Sequence, residues 1–283
     1  MLSVELERGD LQVAYSRDGQ VSVTAYGTAP GGVKLDARYL ASIVAVEQSE
    51  NRIQLRDVLK TEDLQARTVH YRIDVPYRTE VTSRVNRGSQ TFRGIMGPVK
   101  AVGSNGDIRA SYLSKGLQAQ VETGNLDIEV IGERVTAKTR NGNISGARLP
   151  DGISAETGDG DITLTVVGPS TAAITNGAGR IEVTGARSRF QGSTQSGELS
   201  IKAEPHGDWR LTSASGTIRI ALPPAWNADL DASTDSGALQ IDRDDLTKPQ
   251  PEARHFTQKP QGIGPNAAPS IAIHTGSGKI LIR

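Results

Sequence analysis

The side chains best suited to chemistry in this sequence are carboxylates and amides that recur beside glycine. Asp107 and Asp127, with Arg109 and Glu129 close by, would supply an acid and a base for cleaving a glycosidic bond if successive turns of chain stacked them roughly 5–10 Å apart. A solvated charged face produces the same spacing, so the pair is a candidate catalytic site and no more specific than that. Asn141, Asn143, Asp159 and Asp161 form a second group, with enough oxygen for a hard cation such as calcium. The residues after the recurring anchor read Asp107, Asp127, Asn143, Asp161, Arg180, Glu198, Thr217, Ala238 and Lys279. That column wanders between acid, base and neutral, so its members read first as turn formers, and no metal or cofactor is called for.

Aromatic platforms for sugars are the third option. Trp209 lies seven residues before its anchor glycine, the register of Val99, Val135, Ile153, Phe190, Leu230 and Ile271, and therefore reads as core. Trp226 follows Pro223-Pro224 at the end of a strand and is the candidate binding ring, with corner packing as the competing reading. His70, His206, His255 and His274 share no metal-ligand spacing, and no nucleophile elbow, phosphate loop or HExxH helix occurs.

Composition narrows the field further. The 283 residues include no cysteine, which removes disulfide frameworks and thiolate zinc sites, and 32 basic residues balance 32 acidic ones, which argues against nucleic acid as a partner. The longest aliphatic run, Ile43-Val44-Ala45-Val46, falls far short of the ~18 residues of a membrane span. No basic stretch leading into an apolar segment opens the chain, so an export or membrane-anchor segment is expected only upstream of it.

What must position these residues is a repeat. The phrase Thr-x-(Ser/Asn/Asp)-Gly-x-Ile-x-aliphatic recurs at Gly106, Gly142, Gly160, Gly179, Gly197, Gly216, Gly237 and Gly278, with Leu126 standing in the glycine slot and a weaker copy at Gly88. Alternating apolar and polar residues flank each anchor, as in Val135, Ala137 and Thr139 before it and Ile181 and Val183 after it, which is the period of a half-buried strand. A unit of about 19 residues cannot close its own core, but stacked copies can share one. The expected fold is all-β, a parallel β-solenoid or β-helix with coils of about 18–19 residues. Residues 81–283 carry the repeats, with a Pro-rich loop at about 243–269. Residues 1–80 read as a β-rich capping region with one short helix in 33–42, where Leu35, Tyr39 and Leu40 have helical spacing and Asp36 stands near the start.

Several phrases together carry a resemblance. They are the strand-helix-strand opening over 33–55, Ile73-Asp74-Val75-Pro76, the corners Ser104-Asn105-Gly106-Asp107-Ile108 and Thr157-Gly158-Asp159-Gly160-Asp161-Ile162, Gly262-Ile263-Gly264, and Thr275-Gly276-Ser277-Gly278-Lys279-Ile280. On these the chain resembles a bacterial β-strand-repeat family of unknown function whose members are called "putative adhesins", departing from the pattern at Gln90 and Leu126. The resemblance implies an extracytoplasmic protein of the periplasm or cell surface, with no catalytic residues to carry over. The expected function is a non-catalytic envelope scaffold that meets an unknown protein or glycan surface. A carbohydrate-active β-helix enzyme and a solenoid that self-associates end to end are the alternatives.

Overall fold

The computed structural model describes residues 1–28, 33–58, 68–165, 172–224, 226–250, 252–259 and 268–283. The chain is a β-solenoid: each coil lays down two short strands joined at a glycine corner, and strands of successive coils pair in parallel. Apolar residues alternate inward along both strands, as Ile162 and Leu164 do over Ile181 and Val183, each contributing about 1.5–3 kcal/mol by leaving water. Two compact units result, Met1–Thr139 and Arg140–Arg283.

In the first unit the elements are β1 (Leu2–Arg8), β2 (Asp10–Tyr15), β3 (Ser22–Thr28), α1 (Ala37–Ile43), β4 (Val44–Ser49), β5 (Arg52–Asp57), β6 (Thr68–Val75), β7 (Val81–Arg87), β8 (Gln90–Arg93), β9 (Val99–Asn105), β10 (Ile108–Leu113), β11 (Leu117–Thr123) and β12 (Leu126–Ile131), with β13 (Val135–Asn141) carrying the chain out. One sheet runs β4-β5-β1-β7-β9-β11 and the other β3-β6-β2-β8-β10-β12. Only β4 and β3, at the edges, are antiparallel to their neighbours. The opening residues thus build a coil of their own: Leu2 of β1 lies between Ile53 and Val81, and Leu11 of β2 between Tyr71 and Gln90. The Asp36 carboxylate caps α1 by accepting from the Tyr39 N–H at 2.7 Å, and the β-branched Val44 and Val46 turn the chain to strand directly after Ile43.

The second unit continues with β14 (Ile144–Ala147), β15 (Ile153–Asp159), β16 (Ile162–Thr165), β17 (Ala172–Ala178), β18 (Ile181–Thr184), β19 (Phe190–Thr194), β20 (Leu199–Lys202), β21 (Trp209–Ser213), β22 (Ile218–Ala221), β23 (Asp229–Thr234), β24 (Ala238–Ile241), β25 (His255–Gln258), β26 (Ser270–Thr275) and β27 (Lys279–Ile282). Its sheets run β15-β17-β19-β21-β26-β23-β25 and β14-β16-β18-β20-β22-β27-β24. The last coil of the chain is therefore not the last in space. Ile271 sits between Trp209 and Leu230, and Ile280 between Ile218 and Leu239. The Asp208 carboxylate pins the start of this inserted coil, accepting from the Ser270 N–H at 3.0 Å and its hydroxyl at 3.1 Å. The Pro-rich segment supplies β25, which runs antiparallel along β23. Residues 251 and 260–267 of that segment, including Gly262-Ile263-Gly264, lie outside the described residues.

The register corrects one part of the sequence reading. Ile108 pairs with Leu126 and Ala110 with Ile128, so Leu126 is the first inward residue of its strand, and the corner glycine is Gly124. Gly88, Gly106, Gly124, Gly142 and Gly160 then follow one another at an even 18 residues. The cause is visible at the corner. A Cβ built on Gly106 would fall on the carbonyl oxygen of Gly88, and one on Gly124 on that of Gly106, far inside the 3.0 Å that real Cβ atoms keep. Both glycines also hold a left-handed φ, +139° and +151°.

Beside the corners runs a buried polar column. Thr139 and Thr157 donate their hydroxyls to the carbonyls of Gly124 and Gly142 at 3.0 Å, and the Asn176 amide donates to that of Gly160 at 2.9 Å. From Gly197 onward Ser precedes each corner glycine, no corner glycine takes a positive φ, and the glycine N–H joins the column as a donor, while the Thr275 hydroxyl still donates to the Gly216 carbonyl at 3.3 Å. The N–H groups of Gly197, Gly216, Gly237 and Gly278 donate to Thr194, Ser213, Thr234 and Thr275 at 2.7–3.1 Å. The departure at Gln90 is satisfied in the same manner: fully buried beside Gly103, it accepts from the Ser83 hydroxyl at 2.6 Å and donates to the Val102 carbonyl at 2.9 Å.

The register is testable. Gly124→Ala should destabilise the protein by on the order of 2–4 kcal/mol, combining a strained φ with overpacking against Gly106. Leu126→Ala should cost about 2–5 kcal/mol through the cavity it opens. Urea midpoints measure both, and a Gly124→Ala chain as stable as the parent would overturn this placement of the corner.

Candidate functional site

The corner acids are occupied by the backbone. Asp107 Oδ1 accepts from the Asn125 N–H at 2.9 Å and its side-chain amide at 3.3 Å, while Oδ2 takes Arg109 at 3.1 Å. Asp127 pairs in register with Arg109, and Glu129 with Ser111. Asp107 and Asp127 therefore occupy different columns, two residues apart along the strand direction, and do not stack. The same corner bond recurs from Asp10 to the Ser89 N–H at 2.8 Å, from Asn143 to Asp161 N–H at 2.8 Å, and from Asp161 to Arg180 N–H at 2.7 Å. Each side-chain oxygen reaches the N–H at its own position one coil on, where the bend leaves that donor without a ladder partner. Asn141 and Asp159, each just before a corner glycine, are exposed, and Asp159 uses its carbonyl to accept from Gly142 at 2.9 Å. Among the described residues no group of three or more His, Asp or Glu side chains converges as metal ligands.

A charged groove of about 390 Å³ opens on the first unit, lined by Glu5, Leu6, Glu7, Arg56, Asp57, Arg84 and Asn86. Burial pushes the Asp57 carboxyl above its ordinary range, against the opposing effect of the Glu7 and Arg8 N–H groups, which it accepts at 2.8–3.2 Å. Those bonds tie the end of β5 to β1, a structural duty like that of the corner acids.

The tryptophans divide as their sequence positions indicate. Trp209 is fully buried, edge-on to Phe190 with centroids 6.0 Å apart, and donates to the Ser188 carbonyl at 2.9 Å. Trp226 is half-buried, its indole N–H on Asp245 at 3.2 Å. Arg243 grips the same carboxylate at 2.6 and 2.8 Å and donates to the carbonyls of Leu222 and Pro223 at 2.7 and 3.2 Å. The candidate ring is thus held by one side of a polar clasp.

The first unit also presents a surface that periodicity missed. Tyr15, Tyr77, Met96 and Tyr112 are 44%, 41%, 41% and 49% exposed, and all six tyrosines of the chain fall within its first 112 residues. Tyr15 and Tyr77 meet edge to face with centroids 6.1 Å apart. The Arg78 guanidinium lies 5.5 Å from the centre of the Tyr77 ring, and that of Arg93 lies 5.8 Å from Tyr112. Alternation through Leu11 and Val13 would turn Tyr15 inward. The strand arm ends there instead, level with Gly94, whose φ is +71°, so the ring faces outward. Tyr112 follows Ser111, the partner of Arg93, and itself holds a φ of 57°.

The clasp at Trp226 carries a pH signature. The Arg243 bonds, reinforced by the Trp226 N–H, hold the Asp245 carboxyl down to about 2. A depressed value in the folded state means that the clasp contributes its full stabilisation above the ordinary carboxyl range and loses it as pH falls through about 2. Trp226 fluorescence should report a transition near pH 2 that Asp245→Asn abolishes; a transition centred near pH 4 would overturn the assignment.

No curated protein matches the chain. Among solved structures, a "putative adhesin" from Bacteroides fragilis is similar at 12% identity, over 99% of this chain and 91% of that one, with a TM-score of 0.34. A "putative cell adhesion protein" from Clostridium sporogenes is similar at 9% identity, over 99% and 91% of the two chains, with a TM-score of 0.21. Residues 2–283 match the family described as Toastrack DUF4097, and with that span the chain belongs to it.

Proposed function

We propose that the chain is a non-catalytic interaction module, an adhesin-type solenoid that works outside the cytoplasm and offers its outer rungs to a protein or glycan partner. The exposed tyrosine face carries this reading. Four large apolar side chains stand in water on hydrogen-bonded rungs, and exposed clusters of that kind mark contact surfaces on soluble proteins. The corner Asp and Asn side chains support it as well, because Asp107, Asn143 and Asp161 accept from backbone N–H groups. The location follows the family resemblance.

Binding of the purified chain to cell-envelope preparations tests the proposal. The wild type should bind saturably, and a Tyr77→Ala/Tyr112→Gly double variant should bind at least tenfold more weakly without loss of fold. Depolymerisation of an envelope polysaccharide by the wild type, abolished in Asp107→Asn or Asp127→Asn, would establish the enzyme reading in its place.

A further inference from the structure

The tyrosine face has a chemistry more specific than apolar exposure, and the following rests on the interaction-module reading. Arg78 and Arg93 each lie over an exposed ring, and among the described residues neither has a carboxylate partner. Arg56 and Arg219 are matched with Glu47 and Glu198, whereas Arg78 and Arg93 each have a tyrosine ring as their neighbour. Two uncompensated guanidiniums resting on tyrosine faces therefore present planar donors to an anion brought alongside an apolar ring.

The spacing of the rings limits what that anion is attached to. Tyr15 and Tyr112 flank the rung of Gly94, which has no side chain and whose Cβ position would touch Tyr15 Cβ at 3.4 Å. Two rungs of a parallel sheet are roughly 9–10 Å, the length of an extended disaccharide unit, and the glycine leaves the space between the rings open. Tyr112 holds a left-handed φ of 57°, a conformation that recurs every 18 residues at Gly94, Val130 and Arg148 and turns this residue out of the strand's alternation.

We propose that Tyr15, Tyr77 and Tyr112, with Arg78 and Arg93, form a binding site for an acidic polysaccharide built of uronate sugars. Sugar rings stack on the tyrosines along the rung direction, and their carboxylates pair with the two guanidiniums.

Calorimetric titration of the full chain with polygalacturonate, alginate and hyaluronan tests the proposal, with methyl-esterified polygalacturonate and a thymidine homopolymer as controls. At least one uronate polymer should bind, and esterification should weaken binding of polygalacturonate at least tenfold where that polymer is the ligand. Raising the salt should also weaken it, as expected for a charge-paired ligand. Tyr112→Gly and Arg93→Gln should each lower the affinity at least tenfold. Tyr112→Gly should leave the melting temperature unchanged or higher, since glycine relieves the left-handed strain, and this separates a lost contact from a lost fold. Binding that survives both substitutions, equal binding of the thymidine homopolymer, or binding of none of the three uronates would overturn the uronate site. If the chain meanwhile binds envelope preparations through the same tyrosines, the interaction-module reading stands with another partner. If the double variant binds those preparations as the wild type does, that reading fails as well.

Discussion

A carbonyl oxygen standing where a side chain would begin is the contact on which this fold depends. At the corners within each unit the glycine carbonyl of one coil points at the Cα of its neighbour, and only hydrogen fits between them. This contact sets the distance between coils and phases each strand on its neighbour, so that Ile181 falls on Ile162 and Leu199 on Ile181. Everything else at the corner adapts to it. The Ser, Thr and Asn column satisfies the glycine amides and carbonyls, and the Asp and Asn after each glycine satisfy the next coil's N–H. The corner can therefore change from a left-handed glycine to a Ser-Gly bend at Gly197 without disturbing the register on either side.

Most of this architecture is legible in the sequence because it is local and repeated. Two-residue alternation, a glycine at fixed intervals and the register of Trp209 each follow from a side chain's own coil. What escapes is what depends on another coil. Leu126 looks like a replaced glycine because Asn125-Leu126-Asp127-Ile128 imitates the anchor phrase two residues late; only pairing with Ile108 shows which residue turns the corner. Gln90 looks like a defect until Gly103, from the next coil, is seen to make room for it. The order of coils in space is also hidden, since β26 and β27 carry an ordinary repeat that gives no sign of being inserted.

The candidate sites divide along the same line. Acids at corners attract notice in a sequence because they recur, yet recurrence reflects their work on the backbone. The tyrosine face has no period to reveal it. Tyr15 ends one strand arm, Tyr77 lies between strands and Tyr112 takes a left-handed position shared by Gly94, Val130 and Arg148, and Tyr15 and Tyr77 meet only through the fold. A solenoid makes this easy, since any residue excused from the repeat is raised on a rung of fixed height.

The inserted terminal coils bear on how the chain is made. Strand β23 has as its final neighbour β26, which is synthesised later, and β1 is flanked by β5 and β7, both downstream of it. A chain emerging N-terminus first can add most coils one upon the last. The coil of β23 and β24 differs, because the strands on which it rests, β26 and β27, follow it in the sequence. The place between β21 and β23 is consequently filled by residues made later than both of its walls.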